Sequence, residues 1–186
     1  MSAAKLGKLI VITGPSGVGK GTIVRSLMQR HPQLNVSISA TTRQPRPGEV
    51  DGTDYYFISK EEFESAIARN EFLEWAQYAG NYYGTPKTKV AEQIERGNYI
   101  ILEIELVGAR AIAKIFPDAL RIFILPPSIE ELEQRIRIRG KNSEGSIAKR
   151  LEIATTEIAA SNEFDIKIVN EDLESAIAEI ETVIFN

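Results

Sequence analysis

The chain has 186 residues, a length typical of one domain, and 43% of them are hydrophobic, which is enough for a substantial core. A net charge of −4 argues against nonspecific nucleic-acid binding and against a basic membrane-surface role, and the absence of cysteine with only one histidine, His31, excludes disulfides, thiolate zinc sites and histidine metal clusters. No apolar run approaches the roughly 18 residues of a membrane span and residues 1–8 show no signal peptide, so the sequence predicts a soluble, cytoplasmic protein.

Short apolar runs alternate with amphipathic helical patterns along most of the chain. The runs at 9–13, 99–106, 120–125 and 164–169 are typical of buried strands. The first helical pattern begins inside a Gly-rich loop and ends before Pro32. Strands separated by helices predict an α/β fold with a parallel sheet covered by helices on both faces.

Residues 36–86 depart from this alternation. They combine polar and β-branched residues with Pro and Gly turns, around one helix that Ser59 and Glu62 would begin as a capping box. A second capping box is predicted at Ser128 and Glu131. The pattern of 36–86 indicates a small mixed β-subdomain inserted into the α/β fold, and a cleft between two such parts is a usual place for a ligand.

The stretch "GPSGVGKGT" follows the first predicted strand and nearly matches the phosphate loop G-x-x-x-x-G-K-[ST]. Its glycines allow successive backbone N–H groups to point at phosphate oxygens, and Lys20 adds a positive charge. The alternative is a Gly-rich turn without a ligand. The strand before the loop and the helix after it favour a nucleoside triphosphate site formed by Gly14, Pro15, Ser16, Gly17, Val18, Gly19, Lys20, Gly21 and Thr22.

Gly21 stands where the motif expects a hydroxyl that binds Mg²⁺. Thr22 carries the nearest hydroxyl, and whether it reaches the metal is open at this point. Because Mg²⁺ usually keeps several waters, water could take the missing position.

A second anion site is predicted at "TTRQPRPGE". Arg43 and Arg46 lie three apart on a chain stiffened by prolines, an arrangement that suits bidentate binding of a phosphate. Tyr55 and Tyr83 can add phenolic hydroxyl donors. The alternative is two solvated arginines on a surface turn.

Further along the chain stand "EFLEWAQYAGNYYGTP", "LEIE", "FILPPS" and "RIRIRG". In the order and spacing of all these motifs, the sequence resembles guanylate kinases of the bacterial type. The resemblance covers nearly the whole chain. It implies a P-loop NTPase-type parallel sheet with an inserted mixed β-subdomain and a helical lid. It also implies phosphorylation of GMP to GDP with ATP and Mg²⁺, in purine nucleotide metabolism.

The same resemblance divides one domain, residues 1–186, into three parts. The core comprises 1–35, 86–126 and 151–186, the GMP-binding subdomain is 36–85, and the lid is 127–150. Within the subdomain, the implied GMP contacts are Ser39, Glu74 and Thr85 at the guanine, and Arg43, Arg46, Tyr55 and Tyr83 at the phosphate.

The chemistry of Glu74 agrees with a guanine contact. Guanine presents N1–H and an exocyclic NH₂ side by side, and one carboxylate can accept from both. Adenine lacks this donor pair, so AMP would leave a buried carboxylate unpaired. The alternative is a solvated glutamate at a strand edge.

A basic block spans residues 135–150, with six Lys or Arg and one Glu. A solvated helix face is the usual explanation of such a block. The resemblance places it in the lid, where Arg135, Arg139 and Arg150 match arginines near the transferred phosphate, with Arg139 and Arg150 favoured.

Since a GMP phosphate is already anionic, no general base is required, and the predicted catalytic residues stabilise charge. They are Lys20, Arg43, Arg139 and Arg150.

Glu103 and Glu105 lie near the C-terminal end of a predicted strand, on one side of it because they are two apart. Glu103 matches an acidic position near GMP and the metal, so Thr22 and Glu103 are the candidate Mg²⁺ ligands. The alternative for Glu103 is a buried structural acid. Val107 departs from the family's usual glutamine and Gly145 from a common lid glutamate, whereas Gly21 is familiar in the family.

Two other functions are alternatives to the enzyme. A scaffold version of the fold, which binds partner proteins, loses the loop lysine or the base contacts, whereas Lys20 and Glu74 are present. A kinase of a sugar phosphate would have no use for the base contacts. The sequence leaves open the oligomeric state and whether dGMP is accepted.

Overall fold

A computed structural model describes residues 7–138 and 143–186. Its secondary structure alternates strands and helices. In chain order the elements are β1 (Lys8–Thr13), α1 (Lys20–Arg30), β2 (Leu34–Val36), β3 (Ala40–Thr41), β4 (Tyr56–Phe57), α2 (Lys60–Ala68), β5 (Phe72–Tyr78), β6 (Asn81–Pro86), α3 (Lys87–Glu95), β7 (Tyr99–Glu103), α4 (Leu106–Ile115), β8 (Leu120–Leu125), α5 (Ile129–Ile138), α6 (Glu144–Ala159), a 3₁₀ turn (Ala160–Glu163), β9 (Ile166–Val169) and α7 (Leu173–Phe185).

The described strands form two sheets. The five-stranded sheet has the order β2-β7-β1-β8-β9, and its pairs β2–β7 and β8–β9 are parallel. The four-stranded sheet has the order β4-β3-β6-β5 and is mixed, because β3 is parallel to β4 while β6 is antiparallel to both β3 and β5. The predicted α/β fold with a parallel central sheet and a second, mixed β-sheet is confirmed.

The inner strands β1 and β7 of the five-stranded sheet carry continuous apolar runs, whereas burial alternates along the edge strand β9. Ile10, Val11 and Ile12 of β1 are fully buried, as are Ile101 and Leu102 of β7. A strand covered on both faces needs such a continuous run, whereas a half-exposed strand would alternate.

The chain divides into two compact units. Among the described residues, the first comprises 7–10, 33–102 and 107–119 and contains the mixed sheet. Its apolar cluster joins that sheet to α2, and the rings of Phe63 and Phe72 stack 4.4 Å apart at its centre.

The described residues of the second unit are 11–32, 103–106, 120–138 and 143–186, and they contain the Gly-rich loop with α5, α6 and α7. The C-terminal helix α7 packs on α1. His31 at the end of α1 hydrogen-bonds Glu181 at 2.8 Å and lies 4.5 Å from the ring of Phe185, so this histidine has a structural partner, as expected.

Two strand ends differ from the prediction. The strand predicted at 99–106 ends at Glu103, because α4 begins at Leu106, and the strand predicted at 164–169 begins at Ile166. The argument that Glu103 and Glu105 lie on one side of a strand is therefore wrong, because Glu105 is outside β7. Over three or four residues an apolar run fits a strand and a helix equally well, which explains the overextension.

The two predicted helix starts are found. Ser59 and Glu62 form a complete capping box at α2. Ser128 accepts a hydrogen bond from the backbone N–H of Glu131 at 3.1 Å, whereas the Glu131 side chain accepts from Arg135. Among the described residues, none of the helices has the length and apolar character to span a membrane.

Candidate functional site

The Gly-rich loop between β1 and α1 takes its shape from glycines with positive φ angles, among them Gly14 (152°) and Gly19 (105°). A Cβ atom on Gly14 would lie 2.4 Å from the carbonyl oxygen of Ile124, and one on Gly19 would lie 2.6 Å from Nδ2 of Asn170. Both positions therefore require glycine, for the backbone conformation and for space.

Lys20 is the first residue of α1 and is only 9% exposed. Its ammonium group donates hydrogen bonds to the carbonyl oxygens of Gly14, at 2.5 Å, and Pro15, at 3.3 Å. A positive charge is thus held against the loop at the start of α1, where backbone N–H groups lack intrahelical partners. This arrangement suits a polyanion such as a triphosphate.

Arg150 of α6 also reaches the loop. Its guanidinium group donates a hydrogen bond of 2.7 Å to the hydroxyl of Ser16. The structure therefore brings together three of the residues predicted for the phosphate site, Ser16, Lys20 and Arg150. Arg139, the other lid arginine favoured by the sequence, lies outside the described residues.

A cavity of about 340 Å³ lies beside the loop and is lined in part by Val18, Thr22, Arg135, Asn170 and Leu173. Arg135 donates to the carbonyl oxygens of Asn170 (3.0 Å) and Val18 (3.4 Å), and the Asn170 side chain donates to Val18 at 2.8 Å. Apolar walls with a few fixed polar groups are typical of small-molecule sites.

Sequence reasoning missed Asn170 and Leu173. A signal was present, because Asn170 directly follows β9, and ligands of parallel sheets bind at the carboxyl ends of the strands. The hydrogen bonds of Arg135 to backbone carbonyls show that this arginine supports the loop and the cavity wall.

The two candidate metal ligands are oxygen donors. The Thr22 hydroxyl accepts a hydrogen bond from Arg25 at 3.4 Å, and Glu103 lies so near the start of α1 that a Cβ on Gly21 would be 3.5 Å from its carboxylate. Hydroxyl and carboxylate oxygens suit Mg²⁺. Within residues 7–138 and 143–186 there is no group of three or more acidic, His or Cys side chains that could hold a metal. Two protein oxygens suit an Mg²⁺ ion whose other ligands are phosphate oxygens and water.

A buried acid that sequence reasoning missed lies in the same unit. Glu157 of α6 is 6% exposed, and its pKa is raised to about 7 by burial and by the negative charge of Glu105, against the opposing effect of Lys20. Within the described part of the chain, one buried carboxylate oxygen on each of these glutamates has no hydrogen-bond partner. The signal was its spacing, since Glu157 follows the buried Ala154 by three residues on one helix face.

In the other unit, Glu74 and Thr85 face each other across the antiparallel strands β5 and β6. The Thr85 hydroxyl donates to the Glu74 carboxylate at 2.6 Å, and both side chains are buried. Burial raises the pKa of Glu74, and the hydrogen bonds from Thr85 oppose that rise only in part. The alternative of a solvated glutamate at this position is therefore wrong. Ser39, also predicted at the base, is buried directly before β3.

Three of the four side chains predicted at the second anion site come together. The guanidinium carbon of Arg43 lies 5.3 Å from the ring centre of Tyr55, and the rings of Tyr55 and Tyr83 meet edge to face at 6.1 Å. Arg46 is exposed nearby, as in the surface-turn alternative.

Glu49 holds this cluster and was missed by sequence reasoning. Its carboxylate accepts two hydrogen bonds from Arg43, of 2.9 and 3.0 Å, and one of 2.7 Å from the backbone N–H of Arg46. Burial favours a raised pKa for Glu49, but these hydrogen bonds outweigh it and the pKa lies below its usual value. The alternative of a solvated arginine is thus wrong for Arg43. The signal was an acid three residues after Arg46.

Comparison with known proteins identifies the family. The family model described as guanylate kinase matches residues 6–186. The chain belongs to the guanylate kinase family. The resemblance read from the sequence motifs is therefore confirmed.

Relatives in the guanylate kinase family are similar over nearly the whole chain. A protein named guanylate kinase from Trichormus variabilis is 64% identical over 179 residues, which cover 96% of this chain and 90% of the relative. One of the same name from Nostoc sp. is 62% identical with the same coverage. The crystal structure of guanylate kinase from Anaplasma phagocytophilum superposes with a TM-score of 0.80 at 31% identity and covers 97% of this chain and 85% of that one.

Proposed function

We propose that the protein transfers the terminal phosphoryl group of ATP to GMP and so produces ADP and GDP. The observation that carries this proposal is the guanylate kinase family match over residues 6–186, which includes both the phosphate loop and the mixed sheet. Relatives named guanylate kinase at 64% and 62% identity support the same activity.

The phosphate loop would bind the triphosphate of ATP. Its backbone N–H groups and the start of α1 favour anions, and Lys20 would turn from the loop carbonyls to the phosphate oxygens. The cavity next to the loop has the size and the mixed lining that suit the adenosine part of ATP.

Thr22 and Glu103 would hold Mg²⁺ together with the triphosphate. Bound there, Mg²⁺ would neutralise negative charge on the phosphates and orient them. The absence of a side chain at Gly21 leaves room next to the Glu103 carboxylate.

GMP would bind in the unit with the mixed sheet. The fixed carboxylate of Glu74 would accept from the N1–H and NH₂ groups of guanine, with Ser39 and Thr85 as further contacts to the base. Arg43, Arg46, Tyr55 and Tyr83 would bind the phosphate of GMP.

Catalysis would rest on charge stabilisation, because a phosphate oxygen of GMP is an anionic nucleophile at neutral pH and needs no general base. Lys20, Arg43, Arg139 and Arg150 would supply the positive groups. The hydrogen bond of Arg150 to Ser16 supports its assignment. Residues 127–150 would act as the lid, and a cytoplasmic location fits a nucleotide substrate.

The activity is tested by incubating the purified protein with ATP, Mg²⁺ and GMP and following nucleotides by chromatography. GDP and ADP should form in equal amounts, and ADP formation without GMP should be slow. If ADP forms at the same rate with and without GMP and no GDP is produced, the proposed function is wrong.

A further inference from the structure

Gly108, in the first turn of α4, lies against the carboxylate of Glu74. A Cβ atom built on Gly108 would be 2.5 Å from Oε2 and 2.9 Å from Cδ of Glu74. Real Cβ atoms essentially never approach other atoms within 3.0 Å. No other residue could therefore occupy position 108 while the Glu74 side chain keeps its observed place.

The backbone does not explain this glycine. Gly108 lies inside a helix, and its φ is outside the left-handed region. In such a position glycine is less favourable for the helix than alanine by about 1 kcal/mol. The space that its missing side chain leaves to Glu74 is the physical reason that the structure offers.

The position of the Glu74 carboxylate thus depends on a hydrogen bond at one oxygen and on free space at the other. Its Oε1 atom accepts the 2.6 Å hydrogen bond from Thr85, and its Oε2 atom occupies the space at Gly108. We propose that Gly108 is a specificity-determining residue, which positions the Glu74 carboxylate for guanine by leaving the space in which it stands. This inference rests on the proposed function, in which Glu74 reads the base.

A methyl group at position 108 should change function more than folding. The atoms it would meet are the far end of a flexible side chain, so Glu74 can rotate away and relieve the overlap. Rotation would break the bond to Thr85 and move the acceptor away from the two guanine donors. Losing hydrogen bonds to a charged group would raise the KM for GMP by about 10- to 100-fold.

The first test is the steady-state kinetics of Gly108→Ala. We expect the KM for GMP to rise at least about tenfold, the KM for ATP to stay within about twofold, and kcat at saturating GMP to fall much less than kcat/KM. The preference for GMP over IMP, which lacks the 2-amino group, should shrink. A KM for GMP within about twofold of the wild-type value would overturn the proposal.

A double-mutant cycle separates an effect through Glu74 from any other effect. Glu74→Ala removes the side chain that the new methyl group would meet. Gly108→Ala should therefore cause no further loss of GMP affinity when Glu74→Ala is already present. If the two losses multiply, Gly108 acts elsewhere and the proposal is wrong.

Gly145→Ala is the control for effects on folding, because it adds a methyl group to a helical glycine that has no other atom within 4 Å of the new Cβ. Gly108→Ala should have a melting temperature within about 4 °C of that variant. If Gly108→Ala alone does not fold, a folded Gly108→Ala/Glu74→Ala protein with the GMP affinity of Glu74→Ala still shows that the methyl group meets Glu74. An unfolded double variant would overturn the proposal.

Different results would contradict the proposed function and the role of Gly108. If the wild-type protein does not convert GMP to GDP, the activity is wrong. If the wild type is active but Glu74→Ala binds GMP normally, the assignment of the base contact is wrong. If both behave as expected and Gly108→Ala does not, only the role of Gly108 is wrong.

Discussion

The phosphate loop and the mixed sheet hold charged groups in different ways. In the loop, glycine conformations and backbone groups shape the site, and the ammonium group of Lys20 donates hydrogen bonds to backbone carbonyl oxygens. In the mixed sheet, side chains hold side chains, as Thr85 holds Glu74 and Glu49 holds Arg43. The loop thus has the features of a general anion site, whereas the sheet presents an acceptor and a cation in fixed orientations.

Selectivity for the base should therefore come from the mixed sheet and not from the loop. Backbone N–H groups and a lysine recognise phosphate without regard to the base attached to it. A buried carboxylate held by a neighbouring hydroxyl accepts only a ligand with matching donors, because any other ligand leaves it unpaired. Changes in the loop should therefore lower the rate with every nucleotide, whereas changes in the sheet should act on GMP alone.

The largest effect is expected from Lys20→Met. In the proposed function this buried ammonium group binds the transferred phosphate, so kcat should fall about 10²- to 10³-fold or more without it, with the fold intact. Circular dichroism and the exposed control Lys114→Met check the fold. Normal turnover of Lys20→Met would remove this residue from the mechanism.

The second effect concerns stability and tests the buried acid of the loop unit. The pKa of Glu157 is about 7 in the folded protein against an ordinary 4.5, so between these pH values the folded state keeps a proton that the unfolded chain releases. Stability should therefore fall as the pH rises through this window, by about 3 kcal/mol at most, and the loss should be complete above pH 7.

Glu157→Gln has no carboxylate to ionise and should lose this part of the pH dependence. Urea unfolding at about pH 5 and pH 8 measures the difference, and Glu152→Gln on the exposed side of α6 is the matched control. If Glu157→Gln and the wild type show the same slope with pH, Glu157 does not titrate in this window.

A third, smaller effect is expected from removing the two parallel N–H donors of the Arg43 guanidinium group. Arg43→Lys keeps the charge but loses the planar pair of donors that Glu49 now engages, so the KM for GMP should rise about tenfold and that for ATP less than about twofold. The exposed Arg69→Lys in the same unit is the control. A rise in the KM for ATP instead would mean that the two anion sites are assigned the wrong way round.

The smallest effect is expected at Val107. This side chain is 58% exposed, so replacing it with glutamine should change the KM for GMP less than about threefold. Parallel assays of Val107→Gln and the wild type with GMP and dGMP measure it. A tenfold improvement with Val107→Gln would show that the wild-type protein lacks a contact to GMP at this position of α4.

The sequence predicted the parts of this molecule that are local. The run before Gly14, the glycines and Lys20 are neighbours in the chain, so one short motif carries strand, loop and helix together. The parallel sheet followed from the alternation of apolar runs with helical patterns. Ser59 with Glu62 is local as well, and its capping box was confirmed.

The parts that were missed depend on contacts between distant residues. Asn170 contacts Val18 across 152 positions, and Gly108 of α4 lies against Glu74 of β5 although β6, α3 and β7 separate them in the chain. No pattern in one sequence reports such a pairing. Glu49 was closer, yet its role appears only when the chain folds it back onto Arg43.

If the fixed carboxylate of Glu74 selects guanine, the ratio of kcat/KM for GMP to that for AMP should be about 10⁴ or more for the wild type. This ratio should collapse in Glu74→Gln through loss of GMP turnover. Turnover of AMP within about tenfold of GMP by the wild type, or an unchanged ratio in Glu74→Gln, would show that Glu74 does not select the base.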